Sequence, residues 1–239
     1  GGDAEPNECE PGGGEEGRPL RYVFDEGHHI FQAADAAFSA HLSAAETADL
    51  RRWLIGAEGG GRSRSRGLKV RIEDLILGDG VAEKALDDAL HAARALPGPS
   101  WGQRLADGRP DGATERFLIL VRQQVYARAP ETDVGYDLEA ETNPMIDGLA
   151  DAADKLAAAL TRLAAPITVL VSRLKALLDS DAAELETATR VKIEAVAASL
   201  ERRAVAQIAA WRSMLDALRG ETPPEFVDWF GVSRGFWRD

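Results

Sequence analysis

Leu185-Glu-Thr-Ala-Thr-Arg-Val-Lys-Ile-Glu-Ala-Val-Ala-Ala-Ser-Leu-Glu-Arg-Arg-Ala-Val-Ala-Gln-Ile-Ala-Ala-Trp-Arg-Ser-Met-Leu-Asp-Ala-Leu218 is the stretch that decides the fold. Leu185, Thr189, Ile193, Val196, Leu200, Ala204, Ile208, Trp211, Leu215 and Leu218 follow one another at steps of three or four. That spacing puts them on one face of a helix. At 1.5 Å per residue the helix would be about 50 Å long. The mean step is about 3.7, close to the straight-helix period, so the pattern predicts a packed bundle rather than a long heptad coiled coil. Gly220 suits the helix end, and Pro223-Pro224 prevents continuation.

Upstream the same logic repeats. Leu149, Leu156, Leu160 and Leu163 mark one helix, and Leu170, Val171, Leu174 and Leu177 mark the next stretch. Pro166 stands between them, where it ends the first helix, kinks it or opens the second. Thr114 to Ala129 is helical with Phe117, Leu118, Val121 and Val125 inward. Its Arg116, Arg122 and Arg128 do not share one face, so no basic stripe is expected. Ala82 to Leu96 and Leu68 to Leu77 read as two further helices, the first stopped by Pro97-Gly98-Pro99. Ser43 with Glu46 three residues on forms a capping box for a helix running to about Ala57. Trp101 and Leu105 either plug the core beside the proline turn or offer an aromatic platform for single-stranded DNA. Asp133 to Asn143 is acidic and extended, a short strand or an ordered loop, with Glu139 and Glu141 outward.

Composition agrees with a mainly α protein. Ala and Leu abound while aromatics are 6% of the 239 residues. Net charge is −12, which argues against a free-standing nucleic-acid binder; any DNA contact must use a local patch. The most basic loop is Gly59 to Gly67, where Arg62, Arg64 and Arg66 either hold a phosphate backbone or belong to a solvated linker. The lone Cys9 fits a reducing compartment. Neither a signal peptide nor an uninterrupted apolar run of membrane length is present, so no membrane partner is expected. Residues 1–19 are Gly-rich and acidic, an apolar-poor connection that cannot repay its ordering entropy.

The chemistry concentrates in Leu20-Arg-Tyr-Val-Phe-Asp-Glu-Gly-His-His-Ile-Phe31. Its apolar beginning suits a buried strand, and Asp25 and Glu26 stand at the strand's carboxyl end, where ligands bind in open α/β sheets. An Asp there can hold Mg²⁺ directly or through water, and a Glu beside it can activate water. Solvated acids at an ordinary strand end are the plainer reading. A metal hydrolase built on Asp25, Glu26, His28 and His29 is disfavoured, because neighbouring strand residues point to opposite faces.

This segment, Asp25-Glu26-Gly27-His28 in a Val-Phe-Asp-Glu-Gly-His-His-Ile-Phe context, resembles the DEAH box, motif II, of superfamily-2 helicases. Phe38-Ser-Ala-His-Leu42, the segment Glu46 to Glu58, and Thr222-Pro-Pro-Glu-Phe-Val-Asp-Trp-Phe230 extend the resemblance to ATP-dependent DNA helicases of the XPD/DinG type, over residues 20–232. The resemblance implies a motif II strand and loop at 20–30, an arch-like helical insertion at 31–222, and a return strand and tail at 223–239. The fold class is then a helical bundle insertion framed by short strands that belong to a truncated P-loop-type α/β motor domain. It implies Asp25 as the Mg²⁺ holder, Glu26 as the base and His28 as the coupling residue. Mg²⁺ and ATP would serve the full-length parent, with neither expected bound to this chain alone. Single-stranded or forked DNA and the remaining motor domains of the same polypeptide would be its partners, in a bacterial cytoplasm. The return strand would pair beside Leu20 to Phe24. The departures are plain: no Gly-Lys pair exists to form a P-loop, the second motor domain and motif III are missing, and one cysteine cannot supply an iron–sulfur site. The alternative class is a non-catalytic helical protein-interaction module.

Overall fold

A computed structural model of the protein describes residues 27–30, 40–58, 66–129, 137–180, 185–220 and 227–233. The chain divides into two compact units, Gly1–Ser39 and Ala40–Asp239. Within the first unit, Gly27–His29 form a 3-10 turn. The strand expected at Leu20 to Phe24 lies outside the described residues, as does the helix face at Phe31, Ala34 and Phe38.

The second unit is mainly α, as its composition and periodicity predict. Its helices are α1 (Ala44–Ile55), α2 (Leu68–Ile72), α3 (Gly80–Ala92), α4 (Trp101–Ala106), α5 (Gly112–Arg128), α6 (Leu149–Ser180), α7 (Thr187–Leu200) and α8 (Gln207–Ala217). Two short strands, β1 (Leu138–Glu141) and β2 (Trp229–Val232), pair antiparallel, with Leu138 opposite Val232 and Glu141 opposite Trp229. The strand expected near the carboxyl end is therefore present. Its described partner is β1, from the acidic stretch that the sequence left as either strand or loop.

Helix α6 is the axis of this unit. It packs on α3, α5, α7 and α8. Leu149, Ala153, Leu156, Leu160, Leu163, Ile167, Leu170 and Leu174 are all buried, at alternating steps of four and three. That seam runs unbroken past Pro166. The sequence allowed an end, a kink or a new start there; the 32 residues form one helix, about 48 Å along its axis, so the chain neither ends nor restarts its helix at the proline. Proline removes the bond that its nitrogen would give to the Arg162 carbonyl and costs about 3 kcal/mol in a helix interior. Burial of Leu163, Ile167 and Leu170 around it outweighs this, since each buried aliphatic side chain contributes about 1.5–3 kcal/mol. By length and composition α6 is apolar enough to cross a membrane, although it contains charged residues at intervals. Its apolar seam is instead covered by neighbouring helices, and Asp151, Asp154, Lys155, Arg173 and Lys175 of its outer face form ion pairs.

The decisive C-terminal stretch departs from one regular helix in a single place. Between α7 and α8 residues Glu201–Ala206 form a π turn. The stripe explains it. Val196, Leu200, Ala204 and Ile208 are three consecutive steps of four, and each overshoots a 3.6-residue turn by about 40°. A regular helix would carry Ile208 off the face it must bury. The wider π turn restores the register, so Ile193, Leu200, Ala204, Ile208, Trp211 and Leu215 all reach the core. The resulting rod runs antiparallel to α6, tied by Arg219 to Asp154 at one end and by Lys175 to Glu201 at 2.6 Å further along.

Local signals set the remaining elements. The Ser43 hydroxyl accepts the Glu46 N–H and donates to the Glu46 carboxylate, both at 3.2 Å, so Ser43 is the expected N-cap and the two side chains meet. Gly67 lies against the end of α1; a Cβ there would sit 2.3 Å from the Ile55 carbonyl oxygen, so no other residue fits. Helix α2 is shorter than the ten residues predicted, ending at Ile72 and passing through turns to Gly78. Asp79 then caps α3 through the Val81 and Ala82 N–H groups, both at 3.1 Å.

Candidate functional site

The residues singled out in the sequence fall unevenly. Asp25 and Glu26 lie outside the described residues, as do Arg62 and Arg64. His28 lies in the 3-10 turn Gly27–His29. Arg66 is exposed, and its carbonyl accepts the Arg71 Nε–H at 3.1 Å, which ties the end of the basic loop to the start of α2. Among the described residues no group of His, Cys, Asp or Glu is arranged to hold a metal ion. Glu139 and Glu141 point outward along β1, as the alternation predicted.

The built polar geometry of the second unit centres on Leu96 to Trp101 and two arginines that reach it from either side. Arg51 of α1 donates through Nη1 to the carbonyls of Arg94 at 2.9 Å and Leu96 at 2.7 Å. Its Nε and Nη2 grip Glu58 as a two-pronged pair at 2.7 and 2.8 Å. The Glu58 carboxyl is held below the usual carboxylate range, first by that hydrogen bond; burial opposes it, and attraction to Arg51 and then Arg94 adds to the lowering. From the other side Arg104 of α4 donates to the Pro99 carbonyl at 2.6 Å and grips Glu115 of α5 through two nitrogens. Glu115 is 1% exposed and also accepts the Asp111 N–H at 2.8 Å. Hydrogen bonding to Glu115 pushes the Arg104 guanidinium further up.

The carbonyls of Arg94, Leu96 and Pro99 are thus held by two planar forks. The loop adopts a conformation it would not choose alone: Ser100 has φ +62° and ψ 20°, a left-handed geometry that costs a non-glycine residue about 1 kcal/mol or more. Gly98 lies flat against the Arg51 guanidinium, 3.0 Å from where a Cβ would stand. Trp101 is half-buried and lines an open groove of about 480 Å³ with Arg51, Arg52, Glu58 and Pro99. It is neither a full core plug nor a free platform.

A second clamp organises the β1 end. Gln124 of α5 is fully buried; its amide donates to the Glu141 and Thr142 carbonyls, both at 2.9 Å, and accepts the Ile146 N–H at 3.1 Å. Arg128 adds bonds to the Glu141 and Pro144 carbonyls. Arg122 donates to the Leu105 carbonyl at 2.9 Å and stacks over Tyr126. Two of the three arginines of α5 are therefore spent on backbone carbonyls, which fits the absence of a basic stripe. Another shallow dent of about 360 Å³ lies where the end of α3 meets α6. His91, Ala92, Arg94, Ala95, Ala159 and Arg162 line it.

None of these arginine roles is visible as a motif. Each joins residues that are distant in sequence, and single arginines carry no spacing signal. No protein-family model, no curated protein and no solved structure matches the chain.

Proposed function

We propose that this chain is the motif II and arch-like segment of an ATP-dependent DNA helicase of the XPD/DinG type. The observation that carries the reading is the box Asp25-Glu26-Gly27-His28 in its extended context, followed by a long, almost wholly helical body. In that reading Asp25 holds Mg²⁺ and Glu26 activates the attacking water. His28 couples the site to the motor, and the helical body guides single-stranded DNA. The P-loop-type motor domain, its ATP and the forked DNA belong to the rest of the polypeptide. The chain has no phosphate cradle of its own, so it hydrolyses no ATP by itself.

The test is made on the native polypeptide, captured from its source cells with an antibody raised against this chain. A species several times heavier than 25.7 kDa, with ATPase stimulated by single-stranded DNA and abolished by Glu26→Gln, is expected. A native species of 25.7 kDa, or one whose turnover ignores Glu26→Gln, ends this reading.

One observation favours the alternative of a non-catalytic interaction module. Leu77 is 83% exposed, and Val81 and Val191 are also exposed, beside the ion pairs Asp79–Arg173 and Asp74–Lys192. Apolar side chains kept in water next to fixed charges suit a protein partner.

A further inference from the structure

The two strands of the sheet differ in how their outer edges are finished. On β1 the Glu141 carbonyl accepts from both Gln124 and Arg128 of α5, and the Thr142 carbonyl accepts from Gln124. A carbonyl oxygen has two lone pairs, so Glu141 has none left for Trp229 across the ladder. Antiparallel partners alternate between bonded and non-bonded pairs. Glu141–Trp229 and Glu139–Gly231 are therefore the non-bonded pairs, and Ala140–Phe230 and Leu138–Val232 the bonded ones. Trp229 and Gly231 thus turn their N–H and C=O groups away from β1. Among the described residues β2 packs chiefly on β1 and α5, and no other hydrogen bond reaches the backbone of Trp229–Val232.

Natural edge strands are kept from pairing by charges, proline or bulges. Strand β1 carries Glu139 and Glu141 on its solvent face. Strand β2 reads Trp-Phe-Gly-Val, with neither a charge nor a proline, and Trp229 is 47% exposed. The strand also fits a second copy of itself. Residues opposite one another in an antiparallel pair share a face, so Gly231 set against Gly231 of a second copy puts Phe230 against the second copy's Val232, twice, on the apolar face over α5. Aromatic and β-branched side chains are favourable cross-strand neighbours. On the solvent face the two glycines meet without side chains to clash. Each lies beside its own Trp229 indole, whose Cδ1 and Nε1 are 3.9 Å from where a Gly231 Cβ would stand. One pair beyond Trp229, the same register sets Asp228 against position 234, an arginine in the sequence, so opposite charges face each other at both ends. This local match offsets the repulsion between two chains of net charge −12, which salt screens beyond about 10 Å.

We propose that the outer edge of β2 is a self-association site: two copies pair β2 antiparallel about a two-fold axis at Gly231 and join their two-stranded sheets into one. The proposal concerns this chain by itself and does not draw on the helicase reading. The test is the mass of the chain by sedimentation equilibrium, from about 1 µM to about 1 mM, the range in which so small an interface dissociates. The mass is expected to rise from 25.7 kDa toward twice that value. Gly231→Pro removes only the N–H that points away from β1, so it should hold the mass at 25.7 kDa with an unchanged circular dichroism spectrum. Should that variant fail to fold, Gly231→Cys in a Cys9→Ser background reads the register. Bonded antiparallel partners stand about 5.5 Å apart, within disulfide reach, so mild oxidation should give a covalent dimer. Trp229→Cys, four positions out of register with its own copy, should give none. A parent of 25.7 kDa at every concentration, a folded Gly231→Pro variant that dimerises like the parent, or a Gly231→Cys variant that does not cross-link overturns the proposal.

Discussion

Helices α5 and α6 lie side by side in the same unit and are built on opposite plans. Helix α6 buries an aliphatic seam from Leu149 to Leu174 and keeps its charges on the outside. Helix α5 buries Thr114, Glu115 and Gln124 as well as Phe117, Val121 and Val125. Those polar groups reach outward to backbone: Thr114 to the Ala95 carbonyl at 3.0 Å, Glu115 to Asp111, and Gln124 to residues 141, 142 and 146. One helix supplies cohesion and the other fixes where the connecting segments lie. Apolar burial is non-directional and tolerates small shifts, whereas each buried polar atom has to meet a particular partner.

The contrast is sharpest at Glu115. Glu115→Ala leaves the Arg104 guanidinium without its partner and frees the Pro97 to Trp101 loop, so a loss of about 3–5 kcal/mol is expected from guanidinium-chloride unfolding. A loss under about 1 kcal/mol would mean that the clamp is incidental. Next comes Leu163→Ala, which opens a cavity in the α6 seam and costs about 3 kcal/mol. Hydrogen exchange separates the two plans here. The Leu163 variant should lower protection throughout the second unit, because the seam touches four other helices. Gln124→Ala is expected to cost about 2 kcal/mol and to raise exchange chiefly in β1 and residues 142–146. A uniform loss of protection in that variant would erase the distinction between the helices.

The smallest effect is acid sensitivity at the pins outside the seam. Asp74 and Asp79 have their carboxyls held below the ordinary 3.8, first by hydrogen bonds from Lys192 and Arg173 respectively. A carboxyl depressed in the folded state contributes stability above its unfolded value, and that stability is lost as pH falls through the folded value. The pins should therefore hold at neutral pH and weaken only below about pH 4. Asp74→Asn/Asp79→Asn should flatten that part of the acid-unfolding curve, by lowering the melting temperature slightly at neutral pH and leaving it unchanged where both carboxyls are protonated. An unchanged acid limb would show that the pins contribute nothing measurable.

Much of the helical plan was legible in the chain. The steps along Leu149 to Leu177 and Leu185 to Leu218, the Ser43–Glu46 box and the alternation of Glu139 and Glu141 each follow from covalent spacing, which a helix or strand converts directly into a face. Pro166 left three outcomes open because local propensity favours a break, and only the continuous seam on either side decides for one helix. The π turn at Glu201 to Ala206 was written in three steps of four but needed the buried positions of Leu200 and Ile208 to be read. The Arg51 and Arg104 clamps and the His91, Arg94 and Arg162 dent had no local signal.

By itself, then, the order of residues determined where most of the helices lie, which faces are apolar and where Asp25-Glu26-Gly27-His28 stands, because these depend on neighbours within one or two turns; the short helix Trp101–Ala106 was not among them. Tertiary structure alone decided that β2 pairs with β1, that α6 survives its proline and that arginines from distant helices converge on one loop. Those outcomes depend on groups far apart in the chain, whose meeting is set by the packing of whole helices rather than by any spacing along the backbone.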